Sequence, residues 1–182
     1  MFSKATTLSS LLCGLLLGCL FARDAVAGDP SDRARVTVEG RILDTPCTID
    51  PGSQEQTIRM GATPVGIIAR DGAGQPVPFT VRLRDCVLQR FDRRLPDWQG
   101  LSITFDGVSD GEDFATKGAA GGVALRISDA DGHRAVPGKR LPGMQLVQGD
   151  QALAFTLQLV SNHQPLVKGD YHAVIHFGIS YF

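Results

Sequence analysis

The sequence predicts an all-β domain built as a sandwich of antiparallel sheets, and three observations support this class. Apolar residues alternate with a period of two through most of the chain after residue 34, which is the spacing of strands with one buried face. Glycine-containing turn motifs separate the alternating runs, as in Asp71-Gly72-Ala73-Gly74, Asp110-Gly111 and Asp131-Gly132. No convincing helical stripe is present. Because strands with one apolar face must bury it against another layer, we expect two packed sheets.

The first 27 residues are predicted to be a secretory signal peptide. Lys4 supplies the positive start, Leu8 to Phe21 form the apolar run, and Ala25-Val26-Ala27 is a small-x-small cleavage site. The apolar run is shorter than the roughly 20 residues of a membrane span. A lipoprotein signal is the alternative, since Leu16-Leu17-Gly18-Cys19 resembles a lipoprotein cleavage box that would leave a lipid on Cys19. The rest of the chain has the length of one domain.

The alternating segments give the expected strands in chain order. They cover residues 77–83, 101–105, 123–127, 153–159 and 171–181. The last segment is the clearest, since it is expected to form one continuous strand to the chain end. Its odd-numbered face is apolar and consists of Tyr171, Ala173, Ile175, Phe177, Ile179 and Tyr181.

Two cysteines remain after the predicted signal, which contains Cys13 and Cys19. An exported protein with two cysteines is expected to pair them, so we predict a disulfide between Cys47 and Cys86. The bridge would close a loop of about 40 residues and contribute about 4 kcal/mol by restricting the unfolded chain.

Composition and motifs give no support for catalysis or for nucleic-acid binding. The formal net charge is −1, which offers no electrostatic attraction to nucleic acid or acidic lipid. His172 and His176 would lie roughly 13 Å apart on a strand and could not share a metal ion. The segment 128–132 lacks the later oxygen ligands of a calcium loop, and the glycines of 118–122 lack the Lys-Ser/Thr of a phosphate loop. We predict no enzyme activity, no cofactor, no metal and no small-molecule substrate.

The two ends of the predicted mature chain carry distinctive motifs. Residues 36–49 contain alternating apolar residues, a glycine seven positions before the first cysteine, and a proline beside that cysteine. Residues 169–182 begin with a glycine fourteenth from the terminus, continue with alternating apolar residues, and end with a penultimate tyrosine. Both stretches resemble chaperone–usher fimbrial subunits, in particular the minor and adaptor pilins of P-type and type 1 pili. The four marker positions are Gly40, Cys47, Gly169 and Tyr181.

This resemblance implies an incomplete immunoglobulin-like β-sandwich, the pilin fold, which lacks its seventh strand and carries an N-terminal donor-strand extension. It divides the chain into a signal peptide at 1–27, the extension at 28–45 and the pilin domain at 46–182. In the family, a periplasmic chaperone lends a strand to the open groove, and the extension of the next subunit replaces it. The implied donor residues are Val36, Val38, Gly40 and Ile42. The implied groove and chaperone-contact residues are Gly169, Tyr171, Ala173, Ile175, Phe177, Ile179, Tyr181 and Phe182.

The function implied by the resemblance is that of a structural minor subunit of the adaptor type, which supports cell adhesion. Its partners would be a periplasmic pilus chaperone, an outer-membrane usher and neighbouring pilins, and it would pass through the periplasm to an extracellular fimbrium. Two alternatives remain. One is a terminating or anchoring subunit with a blocked groove. The other is a self-contained secreted β-sandwich binding protein, in which residues 36–42 belong to their own sandwich and Gly40 marks a bulge.

The energetics of such an extension are independent of the resemblance. Burying the three apolar side chains of residues 36–42 would contribute about 5–9 kcal/mol. The net stability of a whole domain is only about 5–15 kcal/mol. A sandwich without this strand would therefore be marginally stable and would expose a long edge, so we expect it to need a folding partner.

Overall fold

The computed structural model describes residues 35–40 and 42–182. The chain falls into two units, Met1–Arg41 and Ile42–Phe182. In the first unit, residues 35–40 form neither helix nor strand, and their side chains are exposed. The predicted signal peptide and the Cys19 box lie outside the described residues.

The second unit consists of short helices and many strands, which are numbered in chain order. The helices are α1 (Pro51–Gln54) and α2 (Val65–Asp71). The longer strands are β2 (Val77–Cys86), β3 (Gly100–Asp106), β7 (Val123–Asp129), β10 (Gly149–Ser161) and β12 (His176–Tyr181). The shorter strands are β1 (Thr48–Ile49), β4 (Ser109–Asp110), β5 (Asp113–Ala115), β6 (Lys117–Gly118), β8 (Arg134–Ala135), β9 (Met144–Gln145) and β11 (Tyr171–His172).

The strands form antiparallel sheets, as the period-two pattern predicts. The larger sheet has the order β1-β2-β10-β7-β5-β4, with β8 also paired to β7. A second sheet has the order β12-β3-β9, and β11 pairs with β6 in a small separate ribbon. The long strand β10 lies at the centre of the larger sheet, where it pairs with β2 on one side and with β7 on the other. The predicted fold class is confirmed.

The core lies between the two main sheets, because the buried faces of both contribute to one cluster. Val81 from β2, Leu101 and Ile103 from β3, and Phe155 from β10 are each almost completely buried. The rings of Phe105 and Phe155 meet edge to face with centroids 5.1 Å apart, a favoured aromatic geometry. Two sheets that each present one apolar face thus bury them against each other.

The two short helices were not predicted, although both have local signals. Asp50 caps α1, since its side chain accepts a hydrogen bond of 2.9 Å from the Gly52 backbone N–H, and a proline follows at the first helical position. Helix α2 ends at Gly72, which adopts the left-handed conformation with φ of 75°. The Asp71-Gly72 motif that was interpreted as a loop signal is therefore a helix C-terminus.

The final segment, predicted as one strand over 171–181, is two strands. Tyr171 and His172 pair with β6, whereas His176 to Tyr181 pair with β3. The chain changes partner between them, and residues 173–175 belong to neither strand. The alternation of side chains continues across this break, since the odd-numbered positions remain half-buried and the even-numbered positions up to Gly178 are exposed.

One buried carboxylate, on the first residue of β5, binds arginines of β7 and β8 within the larger sheet. Asp113 lies almost fully buried and accepts hydrogen bonds from the guanidinium groups of both Arg126 and Arg134. The Arg126 contacts are 3.1 and 3.0 Å long. A buried charge needs such partners, because desolvation without them costs several kcal/mol.

Within residues 35–40 and 42–182, no helix has both the length and the apolar character needed to cross a bilayer.

Candidate functional site

Strand β12 is an edge strand, and its backbone indicates which groups are free. The C-terminal Phe182 exchanges two hydrogen bonds of 3.0 Å with Gly100, one in each direction. In an antiparallel pair, bonded and non-bonded residue pairs alternate. Even-numbered residues of β12 therefore bond to β3, and the N–H and C=O groups of Phe177, Ile179 and Tyr181 point to the opposite edge. Among the described residues, no strand pairs with that edge.

The six odd-numbered residues from 171 to 181 expose part of their side chains. We call these six residues the groove strip, and all six are half-buried and pack against the core cluster. Their even-numbered neighbours His172, Val174 and His176 are exposed. A strand at the centre of a completed sandwich would have one face fully buried. The groove strip is instead covered on only one side, so apolar surface and free backbone groups coincide along one edge. The strip consists of Tyr171, Ala173, Ile175, Phe177, Ile179 and Tyr181.

An aromatic cluster connects the groove strip to the core. The ring of Phe105 is buried. Its centroid lies 6.2 Å from the ring centroids of two partly exposed residues, Phe177 and Phe79. Phe79 also stacks on the buried Phe155 at 5.5 Å. The cluster is closed on the side of Phe105 and Phe155 and open on the side of the other two rings.

Other half-buried apolar residues follow Cys47 along the chain. Ile49 of β1 and the alternating pair Ile58 and Met60 pack against the core while remaining partly exposed. Strand β1 is an edge strand of the larger sheet, as β12 is of the smaller one. Sequence reasoning did not select Ile58 and Met60, although their alternation with Thr57 and Arg59 is the signal that could have found them.

The C-terminal residue is held in a notch made by two glycines. A Cβ atom on Gly100 would lie 2.6 Å from the Phe182 ring, and one on Gly143 would lie 2.9 Å from it. Both backbone hydrogen bonds to Gly100 hold the same residue. At Gly100 a Cβ would also lie 2.9 Å from the Met144 carbonyl oxygen, so glycine is needed there for close approach. The Phe182 backbone is fixed at the end of β12.

Gly169 has a structural role that the sequence did not reveal. A Cβ atom there would lie 2.6 to 2.7 Å from atoms of Ala119 and Ala120. The next residue, Asp170, accepts hydrogen bonds from the backbone N–H groups of both alanines. The glycine therefore allows the close packing of the segment before β11 against the segment after β6.

The predicted donor residues are exposed. Val36 is 83% exposed, Val38 is 87% exposed, and Ile42 is fully exposed. A Cβ atom on Gly40 would meet no atom within 4 Å. Nothing in this structure therefore requires glycine at that position.

The predicted disulfide between Cys47 and Cys86 is present. It joins the residue before β1 to the last residue of β2, and both cysteines are buried. Directly beside it, the Val87 N–H donates a 2.8 Å hydrogen bond to the Pro46 carbonyl. The point at which the N-terminal segment reaches the domain is thus fixed to the end of β2 by a covalent bond and a hydrogen bond.

The two tyrosines of the groove strip have shifted pKa values. Burial raises the pKa of Tyr171 and of Tyr181 above the ordinary phenol value, because the apolar surroundings disfavour the charged phenolate. The Tyr171 hydroxyl is itself buried and has no hydrogen-bond partner among the described residues. The Tyr181 ring packs edge to face on Trp98 at 6.1 Å.

One group of metal-ligand types occurs in the described part of the chain, formed by Asp129, Asp131 and His133. Asp129 accepts hydrogen bonds from the backbone N–H groups of the other two, at 3.0 and 2.7 Å, and lies 2.9 Å from the His133 ring. These contacts build the turn between β7 and β8. His172 and His176, the other pair considered, lie on separate strands and are exposed.

Comparison with known proteins gives consistent results. A sequence model of the family "Fimbrial protein" matches residues 36–181. The PRS fimbrial minor pilin of Escherichia coli is 34% identical over 149 residues, covering 81% of this chain and 76% of that protein. The PAP fimbrial minor pilin of Escherichia coli is 33% identical with the same coverage.

Solved structures show the same fold. The P pilus rod subunit PapA superposes with a TM-score of 0.67 at 20% identity, over 76% of this chain and all of that chain. A subunit from a chaperone–usher pilus superposes with a TM-score of 0.66 at 21% identity, over 85% of this chain and 99% of that one. The family is one of structural subunits and not of enzymes. The chain belongs to the fimbrial protein family, the pilin subunits of chaperone–usher fimbriae.

Proposed function

We propose that this protein is a minor, adaptor-type subunit of a chaperone–usher fimbria, which joins neighbouring subunits by exchanging strands and has a structural, non-catalytic role in adhesion. It accepts a strand from the next subunit along the groove strip and donates residues 36–42 to the preceding subunit. A periplasmic chaperone holds the groove until the usher assembles the subunit into the extracellular fimbrium.

The observation that carries this proposal is the coincidence of free backbone groups and half-buried apolar side chains on β12. An incoming strand can bond to the backbones of Phe177, Ile179 and Tyr181 while its own apolar side chains cover theirs. An edge with these properties is an aggregation hazard unless a partner covers it. The edge therefore supports a function in which another molecule supplies a strand.

The donor role is supported by the pattern and exposure of the N-terminal segment. Val36, Val38 and Ile42 lie two or four residues apart, so an extended chain presents them on one face. The glycine among them has open space around it in this structure. Glycine would be required only after insertion, because a side chain at this position would clash with the groove of the accepting subunit.

The minor-subunit role is supported by similarity. The two minor pilins match at 33 to 34% identity, whereas the PRS fimbrial major pilin of Escherichia coli matches at 29% over 157 residues. An adaptor differs from a terminating subunit in that its groove can receive the donor strand of another subunit.

A peptide exchange experiment tests the proposal. The chaperone-bound protein is mixed with a labelled synthetic peptide of residues 35–43, and formation of the peptide complex is followed by native gel. The control peptide carries asparagine in place of Val36 and Val38. We expect the native peptide to displace the chaperone and the control to fail, since only the native sequence covers the groove strip.

The outcomes separate the alternatives. Exchange with the native peptide supports an adaptor. Refusal of both peptides, and of the donor peptides of the neighbouring pilins, by a soluble chaperone complex would identify a terminating subunit with a blocked groove. A chain that needs no chaperone and unfolds cooperatively as a monomer would contradict strand exchange altogether and favour a self-contained sandwich.

A further inference from the structure

A second surface lies at the base of the N-terminal extension. It is an open cleft of about 490 Å³, lined on one side by Asp44, Thr45 and Pro46 and on the other by the loop between β2 and β3. We call residues 87–98 the basal loop. The loop is closed by a 2.8 Å hydrogen bond from the Trp98 N–H to the Leu88 carbonyl. The family motifs of the chain ends do not include it.

The basal loop exposes apolar surface. The Phe91 side chain is 97% exposed and Val87 is 55% exposed. Both line the cleft. A fully exposed phenylalanine beside further exposed apolar residues is the pattern of an interaction site rather than of an ordinary solvated loop.

The cleft also contains two arginines that are not in ion pairs within the described part of the chain. Arg90 and Arg93 line it and form no ion pair among the described residues, whereas the neighbouring Arg94 is paired with Asp92 at 2.8 Å. Arg90 lies flat over the Trp98 ring, with its guanidinium carbon 3.5 Å from the ring centroid. Stacking of this kind holds a guanidinium in one position and leaves its edge available to a carboxylate.

The length of the extension determines what can cover this surface. Three residues, 43–45, separate Ile42 from Pro46, so a fully extended chain places them within about 14 Å of each other. Pro46 is fixed to the end of β2 by the adjacent disulfide and by its hydrogen bond to Val87. Any molecule that holds Ile42 in a groove must therefore lie within about 14 Å of Pro46, which lines the cleft beside the basal loop.

We propose that the basal loop is a second contact with the neighbouring pilin that accepts residues 36–42. The inference rests on the proposed donor role. Phe91 packs on an apolar part of that subunit, and Arg93 binds a carboxylate on it. This contact determines the relative orientation of the two pilin domains. The inserted strand alone does not fix that orientation.

Site-specific photo-crosslinking in assembled fimbriae tests this. A photoreactive residue is placed at Phe91, at Val38, and at Ala154 as a control on the exposed face of β10. We expect Phe91 and Val38 to form adducts with the same subunit, and Phe91 to exceed Ala154 several-fold in yield. Adding Arg93→Glu should lower the Phe91 adduct several-fold, whereas Arg93→Lys should retain most of it.

The negative outcomes are distinct. An adduct at Val38 without one at Phe91, or adducts with two different subunits, would overturn the basal contact while the donor role stands. The absence of any pilin adduct at Val38 would overturn the donor role and the basal contact together. Because Phe91 and Arg93 are exposed, these substitutions leave the folding of the domain intact.

Discussion

A copy of the donor segment appended after Phe182 should stabilise the domain by filling its own groove. The appended segment would carry residues 35–43 and follow a short glycine-containing turn. Such a turn reverses the chain, so the copy would lie antiparallel to β12 and meet the free N–H and C=O groups of Phe177, Ile179 and Tyr181. The native N-terminal segment is retained, so that the folded protein is otherwise unchanged.

The expected gain in stability follows from a comparison of two variants with different appended sequences. The second variant carries asparagine in place of valine at the positions that correspond to Val36 and Val38. Both variants have the same length, so the entropy cost of ordering the appended strand is common to them. The difference is the burial of two valines, about 3–6 kcal/mol as an upper value. For a chain of this size, each kcal/mol changes Tm by about 2–4 °C. We expect the valine variant to melt about 10 °C higher.

Thermal unfolding followed by circular dichroism at several protein concentrations is the assay. Concentration dependence identifies strands exchanged between molecules, which would shift Tm with protein concentration, whereas filling in cis would not. Equal Tm values for the two variants would refute the reasoning, since they would show that no apolar groove receives the strand. A parent protein as stable as the valine variant would refute it as well.

Three further perturbations have defined outcomes. Asp113→Ala should lower the free energy of unfolding in urea by about 1–3 kcal/mol, because two partly exposed guanidinium groups lose their hydrogen bonds to a buried carboxylate. Gly100→Ala should displace the Phe182 ring, since the new Cβ would lie 2.6 Å from it, and we expect a loss of about 1–3 kcal/mol. Because burial raises the pKa of the groove tyrosines, the neutral phenol is favoured in the folded state, and stability should fall as the pH rises above about 10. Tyr181→Phe should flatten this loss in urea titrations at alkaline pH.

Matched variants serve as controls for these three. Asp131→Ala removes an exposed carboxylate, so it should change the free energy of unfolding little. A loss equal to that of Asp113→Ala would show that the hydrogen bonds of Asp113 with the two arginines contribute no particular stability. Gly178→Ala places a Cβ where no atom lies within 4 Å, so it should be tolerated. An unchanged alkaline slope in Tyr181→Phe would assign the pH dependence to other groups.

The regular parts of the fold were predictable because alternation reports burial directly. The segments at 77–83, 101–105, 123–127 and 153–159 all lie within strands, and the apolar face of 171–181 packs on the core as expected. Alternation reports which face is buried but not which strand lies alongside. The pattern therefore gave no sign that the chain leaves β6 and joins β3 between residues 173 and 175.

Features that depend on distant residues were not predictable. Asp113 binds Arg126 and Arg134, which lie 13 and 21 positions further along the chain. Nothing in the local sequence distinguishes this buried aspartate from the other acidic residues. The stacking of Arg90 on Trp98 was not predictable for a related reason, since nothing in the local sequence indicates that these two side chains are in contact. The helices at Pro51 and Val65 were missed because they are too short for a periodic stripe, although their capping residues are visible in the sequence.

The disulfide has a mechanical consequence for a subunit that is pulled by its N-terminal segment. Tension would enter the domain at Cys47, next to β1, which has only two residues paired to β2. Without the bridge, the load would peel this short strand away one hydrogen bond at a time. With it, force passes through a covalent link to the end of β2, which is paired to β10 along most of its length. The bridge thus carries tension past the short strand β1 and into a long central pair of strands.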